Sequence, residues 1–395
     1  MPDTFLHGVE TIEVASSEGT VTAVKSAVIG LIGTSVTGTA NKLYLSLSEA
    51  NDMTHFGAYS KVATDTIPNA LRLIRKENPK AVVFVISVGT GATTPTESDF
   101  AGAVNVATGV KTGLKLFETC RALYGFVPKI FIAPGFSSTA AIAADLEAAA
   151  LTYRGCAYLD SPTAMLFSAA LTARGVAGLW TTASYRTKLL FSGLIDFDNK
   201  VVPASASSAG LRSFVDENFG FWYSSSNHTL KGAAGIETPL SFEINDSNSE
   251  VNLLNAQGIT TFVNVYGAGI REWGNRNGAF PLNADSRTFE AMQRLDDISS
   301  ESIELACLPY LDLPMSPAQI NLVTEMVNGY FNTLISRGAL IQGSKCLFEA
   351  AKNTPTEMAK GHYVWTKNFM GATPGERFTF YSVIDTTLLS NLLNA

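Results

Sequence analysis

The stretch Leu253–Arg276, LLNAQGITTFVNVYGAGIREWGNR, decides how the chain is read. Leu253-Leu254-Asn255-Ala256-Gln257-Gly258 reads as a helix end stopped by glycine, which closes a last turn in the left-handed region without a Cβ clash. Ile259 to Tyr266 is rich in β-branched and aromatic residues and predicts a half-buried strand. Gly267-Ala268-Gly269 breaks that strand. Ile270 to Arg276 then packs two arginines, a tryptophan and an asparagine into one short run. Planar, multiply hydrogen-bonding groups at that density suit a corner that locks elements, or subunits, in a fixed orientation.

Upstream, apolar runs at Ala27–Thr34 and Val82–Val88 predict buried strands, with shorter ones at Lys129–Ala133 and Cys156–Leu159. Leu189–Ile195 is strand-like as well. Helical spacing appears at Ser48–Phe56, Asp65–Glu77, Lys111–Leu123, Ala140–Tyr153 and Met165–Ala173. Pro68 sits in the first turn of the second of these, where its missing N–H costs nothing. Strands alternating with helices predict an α/β domain over residues 21–200.

Ahead of it, Phe5–Val14 is extended in character, with Val9, Ile12 and Val14 separated by polar residues and Gly19 following as a hinge. Two readings stand: an edge strand of its own domain, or a free arm that adds to a neighbour's sheet.

Downstream, an Ala/Ser-rich helix is expected at Pro203–Phe219, a loop-rich stretch at Asn227–Leu254, and a long helix at Arg287–Leu308. Ser316 is a helix cap with Pro317 at the first helical position. Ile320, Val323, Val327, Phe331, Leu334 and Ile335 then form an apolar stripe ended by Gly338. Strands are expected at Leu340–Glu349 and His362–Phe369, around a short helix or turn at Asn353–Gly361. Arg377–Thr386 alternates Phe378, Phe380, Ser382 and Ile384, which predicts a last strand, and Leu388–Leu393 is an apolar tail. The expected layout is therefore an arm at 1–20, an outer α/β domain at 21–200, an inner α+β domain at 201–375, and a last strand and arm at 376–395.

With 395 residues, 46% hydrophobic and only 16% charged, the chain describes a well-buried protein with an uncharged surface, compatible with extensive subunit contacts. A formal net charge of −7 and the lack of a basic cluster interleaved with aromatics argue against a nucleic-acid partner. Cys120, Cys156, Cys307 and Cys346 are far apart and read as core residues of a reduced protein. No signal-like segment opens the sequence and no apolar run reaches bilayer length, so assembly in the cytoplasm and no membrane insertion are expected.

Chemical motifs fail one by one. Gly338–Lys345 (GALIQGSK) resembles a phosphate loop, but Ser344 separates the second glycine from the lysine, and a helix leads into a strand rather than the reverse. Gly89-Thr90-Gly91 follows a strand without the third glycine or the helix of a dinucleotide fingerprint, and Gly267-Ala268-Gly269 fails likewise. Gly135-Phe136-Ser137-Ser138 is no nucleophile elbow. His7, His55, His228 and His362 are scattered, and Asp296-Asp297 occupies adjacent helix positions that do not face each other. No cofactor, metal or catalytic residue is expected.

Three places carry a resemblance to a known family. They are Leu6-His7-Gly8-Val9-Glu10; Leu253-Leu254-Asn255 with Gly269-Ile270-Arg271-Glu272-Trp273-Gly274-Asn275-Arg276; and the element order from Pro317 to the end. Together they resemble the tail sheath proteins of contractile-tail bacteriophages and R-type pyocins. Asn277 stands where that family usually has threonine, and Lys360 precedes Gly361 where the family's order is glycine then lysine.

The resemblance implies a mechanical protein rather than an enzyme. Subunits would wrap an inner tail tube as a six-start helical stack of hexameric rings, between a baseplate and a tail terminator. An N-terminal arm strand (Phe5, Val9, Ile12, Val14) and a C-terminal strand or arm (Phe380, Ser382, Ile384) would link neighbours. Arg271, Trp273 and Arg276 are expected to hold the inner domain's orientation, and Lys345, Lys352 and Lys360 to face the tube or simply the solvent. Two other classes stand beside this one: an α/β enzyme with a cofactor in the 21–200 domain, and a self-assembling shell protein that does not contract.

Overall fold

The structure, a computed structural model, describes residues 21–59, 64–90, 94–175, 178–265 and 267–394. The expected Phe5–Val14 arm and Gly19 lie outside them. Thirteen strands are assigned among the described residues: β1 (Ile29–Thr34), β2 (Leu43–Ser46), β3 (Val83–Gly89), β4 (Ile130–Ile132), β5 (Cys156–Asp160), β6 (Thr187–Leu190), β7 (Leu194–Ile195), β8 (Val201–Val202), β9 (Gly235–Ile236), β10 (Ile259–Asn264), β11 (Ile270–Trp273), β12 (Lys345–Phe348) and β13 (Trp365–Asn368). The helices are α1 (Glu49–Phe56), α2 (Thr66–Glu77), α3 (Glu97–Ala101), α4 (Cys120–Tyr124), α5 (Ala140–Thr152), α6 (Phe167–Ala173), α7 (Ala204–Asn218), α8 (Glu250–Asn255), α9 (Glu290–Cys307), α10 (Pro317–Ser336) and α11 (Pro355–Ala359).

One eight-stranded sheet, in the order β11-β10-β6-β5-β4-β1-β3-β2, organises most of the chain. Its six inner strands are parallel, and antiparallel β2 and β11 close the two edges. Strands buried on both faces must be apolar throughout, which is why β1, β3, β4 and β5 read as unbroken hydrophobic runs. One face packs Phe100 of α3, Ile142 and Leu146 of α5 and Ala170 of α6; the other packs Phe56 of α1, Ile67 and Leu71 of α2 and Leu211 of α7. The expected boundary at residue 200 falls inside this sheet, because β10 joins β6 in parallel and β11 pairs back on β10. Strand β2 was not anticipated; three of its four residues are half-buried, Ser46 is buried, and it lacks a long apolar run.

At the carboxyl end of β1, on the side of the sheet where doubly wound folds receive ligands, the chain bonds to the start of α2. The Thr66 hydroxyl accepts from the Thr34 amide at 3.0 Å, and the Asp65 carboxylate accepts from the Val36 amide at 3.2 Å. A Cβ on Gly33 would stand 2.5 Å from the Thr66 hydroxyl oxygen.

Helix α9 joins this unit to the C-terminal one. Its acidic residues Glu290, Asp297, Glu301 and Glu304 recur at helical spacing on one face. Apart from Arg121 of α4, the basic residues they meet lie at the amino ends of parallel strands β4, β5 and β6. Glu290 pairs with Lys188 at 3.0 Å, Asp297 with Arg186, Glu301 with Lys129 and, at 2.6 Å, with Arg121, and Glu304 with Arg154 at 2.8 Å. The opposite face carries Met292, Leu295 and Ile298, which form a third core with Val327, Phe331 and Leu334 of α10 and Cys346 of β12. The stripe expected on α10 is the face that is buried.

The ion pairs converge most densely around Lys188, which is 1% exposed. Its ammonium contacts Glu272 at 2.6 Å, Glu290 at 3.0 Å and the Ser225 hydroxyl at 2.9 Å, and it lies 5.0 Å from the centre of the Tyr158 ring. The Tyr158 hydroxyl donates to Glu290 at 2.5 Å. One turn along, Arg294 pairs with Asp216, which also receives Arg212 at 2.5 Å. Three cations (Lys188, Arg212, Arg294) therefore face three carboxylates (Glu272, Glu290, Asp216), all within the interior. Burial alone would push the Glu290 carboxyl up, but Lys188, Arg212 and Arg294 outweigh it and bring it down to about 2. At Glu77, at the end of α2, burial wins instead: it raises the carboxyl to about 7, only partly offset by the amides of Lys231 and Gly232 that donate to it and by the Lys231 charge.

Two outcomes follow for stability, both read by chemical denaturation of unassembled subunits. Lys188→Met leaves two buried carboxylates without their cation and is expected to cost roughly 3–5 kcal/mol, against under about 1 kcal/mol for Arg154→Ala at the half-exposed end of α9. Glu77 binds a proton more tightly folded than unfolded, so its contribution is complete below about pH 4.5 and is lost as pH rises through about 7. Glu77→Gln should flatten the fall in stability across that window, and an unchanged slope would count against the assignment.

Candidate functional site

The Leu253–Arg276 stretch folds as a corner. Gly258 closes α8 with φ +72°, and a Cβ there would stand 2.6 Å from the carbonyl oxygen of Phe280. The Asn255 amide group donates to the carbonyls of Ile259 at 3.0 Å and Trp273 at 3.2 Å, tying α8 to both strands that follow. Because side chains alternate along β11, Arg271 and Trp273 face one side and Glu272 the other. Arg271 donates to the Asn227 side chain at 2.8 Å, and Trp273 packs edge-on against Phe242 at 5.1 Å. Glu272 turns inward to Lys188 and is fully buried. It is the residue that reading the sequence missed: the strand's alternation puts it opposite the two conspicuous neighbours, on the core side.

Beyond β11 the run leads directly into α9. The Glu290 amide donates to the Asn275 carbonyl at 3.0 Å, and Arg276 bridges to Phe289, the residue that caps α9. The Arg276 guanidinium lies 3.6 Å from the Phe289 ring centre and 4.7 Å from that of Phe280. It donates to the Thr288 hydroxyl at 2.6 Å and to both carboxylate oxygens of Glu376, at 3.1 and 2.5 Å. Arg271, Trp273 and Arg276 thus each hold a different piece: a loop, an aromatic lid, and the root of the C-terminal segment.

That segment is the most exposed apolar part of the described chain. Phe378, Phe380, Tyr381, Val383 and Ile384 are 78%, 90%, 93%, 84% and 91% exposed, and Ser382 between them is exposed too. The strand expected over 377–386 does not form within the single chain. No described edge strand runs alongside 377–385, so the alternating pattern has no ladder to join, and 386–394 coils into a 3-10 helix. A run of large apolar side chains this exposed is a surface meant to be covered.

Among the described residues, β12-β13 is a separate two-stranded antiparallel sheet, with Phe348 opposite Trp365 and no further strand on either outer edge. The expected strands at Leu340–Glu349 and His362–Phe369 are longer than these four-residue ladders. Each extends only where it has a partner, although Ile341 does donate to the Met370 carbonyl at 2.8 Å. The three lysines singled out earlier do not converge. Lys345 is exposed at the start of β12, opposite Asn368. Lys352 pairs with Glu349 at 3.0 Å and reaches the Thr366 hydroxyl at 2.7 Å, and Lys360 pairs with Glu357 at 2.8 Å. These are local, solvent-exposed pairs.

Comparison with known proteins agrees with this geometry. Residues 72–278 match the family model described as the phage tail sheath protein central domain. The tail sheath protein of Burkholderia phage BcepMu is 34% identical and aligns over 99% of each chain. A putative prophage major tail sheath protein of Pseudomonas aeruginosa is 26% identical, again over 99% of each. Among solved structures, the PVC sheath complex of an extracellular contractile injection system, in its contracted state, has a TM-score of 0.71 at 16% identity and covers 98% of this chain and 99% of its own. The family expected from the Leu253–Arg276 corner is thus the family found: the chain belongs to the tail sheath proteins of contractile phage tails and tail-like particles.

Proposed function

We propose that this contractile sheath subunit polymerises by lending its two ends to neighbouring copies, as six-start helical rings around an inner tail tube. The single observation that carries the reading is the pairing of surfaces in one chain: a C-terminal segment exposed on both alternating faces, and a two-stranded sheet with two free edges. An edge strand is a template for an added strand, and an extended segment with no partner of its own is the complement. Phe5–Val14, with its apolar Val9, Ile12 and Val14, would be the other donated strand, and Phe380, Ser382 and Ile384 would lie in the C-terminal one. Each added strand of this length contributes about five backbone hydrogen bonds at roughly 1 kcal/mol net apiece. Linked this way, subunits stay connected while their flatter contacts slide from an extended to a contracted packing, with the energy held in subunit contacts and no nucleotide consumed.

Contact with the tube has to be breakable. Lys345, Lys352 and Lys360 are proposed to face it, because exposed ion pairs worth under about 1 kcal/mol each can be exchanged for pairs with another surface. Baseplate and terminator proteins would bound the stack, and assembly would take place in the bacterial cytoplasm before the particle is released.

Purified full-length chain, viewed by negative-stain electron microscopy, is expected to form hollow tubes with a regular helical repeat. Chains lacking residues 1–15, or ending at Arg377, should remain folded, dispersed subunits by circular dichroism and light scattering. Tubes of unchanged order from either truncated chain would contradict the exchange of ends.

A further inference from the structure

We propose that Arg276 and Glu376 form a clasp that fixes the root of the C-terminal segment and sets the direction in which it leaves the subunit. The inference rests on the reading that this segment is lent to a neighbour, and it concerns a positioning residue that acts through Glu376. Arg276 needs no help from Glu376 to stay in place. It is stacked on Phe289, flanked by Phe280 and bonded to Thr288, with its side chain only 15% exposed. Glu376 is the adjustable partner: its side chain is 45% exposed, yet it meets the guanidinium with both oxygens, the fork geometry that fixes orientation as well as distance.

Its place in the chain gives the contact its role. Gly371 is pressed against α9, where a Cβ would stand 2.4 Å from Met292 and Leu295, and the Ala372 amide donates to Ala339 at 3.1 Å. Four residues later comes Glu376. Beyond it, the hydrogen bonds of the described residues are local ones from Asp385 onward, within and around the 3-10 helix. Glu376 is therefore the last described hold of the segment on the subunit body. Through Phe289, that hold is placed at the first turn of α9, beside the buried Glu290–Lys188 pair. The segment's exit is thus referenced to the buried ion-pair network, and a half-exposed ion pair can open without disturbing it.

Arg377 follows Glu376 directly and supplies a reporter, because trypsin cleaves after it once the root is free. In unassembled full-length subunits, Glu376→Ala should raise the rate of cleavage at Arg377 roughly 3- to 10-fold, with other sites unchanged, since cleavage follows the open population. Glu376→Asp should be intermediate. Raising salt should accelerate wild-type cleavage towards the variant's rate and leave the variant unmoved, a response that a purely steric role would not give. Equal rates for wild type and Glu376→Ala at low salt would overturn the clasp. The underlying reading fails separately: if chains ending at Arg377 form tubes as well as the full chain does, the segment is not lent at all. If they form none while Glu376→Ala is cleaved like wild type, only the clasp is wrong.

Discussion

Everything in this subunit depends on α9 having two incompatible faces that are both satisfied. One face sets carboxylates against the basic amino ends of the parallel strands; the other is apolar and founds the C-terminal core. A buried carboxylate is tolerable only beside a cation with the remaining hydrogen bonds filled, and the arrangement around Lys188 meets that condition almost completely. Such pairs add little net stability compared with apolar packing, yet they admit only one register of helix against sheet. For a part that must transmit force, one permitted orientation matters more than extra stability.

The interior and the periphery are accordingly built from different chemistry. Inside, charges are paired, buried and costly to separate. At the surface, the pairs at Lys352, Lys360 and Arg276 are half-exposed, singly weak and screened by salt. A body that resists deformation, with ends held by exchangeable contacts, is the division of labour expected of a sheath that changes its packing while its subunits keep their fold. At the carboxyl end of β1, Thr66 and Asp65 of the α2 start accept from the Thr34 and Val36 amides and pin that corner of the sheet.

Much of this was legible in the sequence where local pattern and tertiary demand coincide. The glycine stop at 258, the Ser316–Pro317 helix start and the α10 stripe all emerged as read, because caps and periodicity are local physics. The membership of β10 and β11 in the large sheet was not, since it is decided by pairing with β6, some seventy residues away in sequence. Glu272 was hidden for a similar reason: a lone acid in a strand reads as surface until Lys188 is known to lie beneath it. The strand at 377–386 was read from real alternation, but a strand needs a ladder, and the described residues offer it none.

The most direct test is a helical reconstruction of the assembled polymer at side-chain resolution. The account expects residues 28–375 to superpose on the single subunit, with α9 unmoved against β6 and Glu290 still on Lys188, and segments from two neighbouring copies paired along the edges of β12-β13. A polymer in which those edges stay bare, or in which α9 has swung away from the sheet, would contradict it.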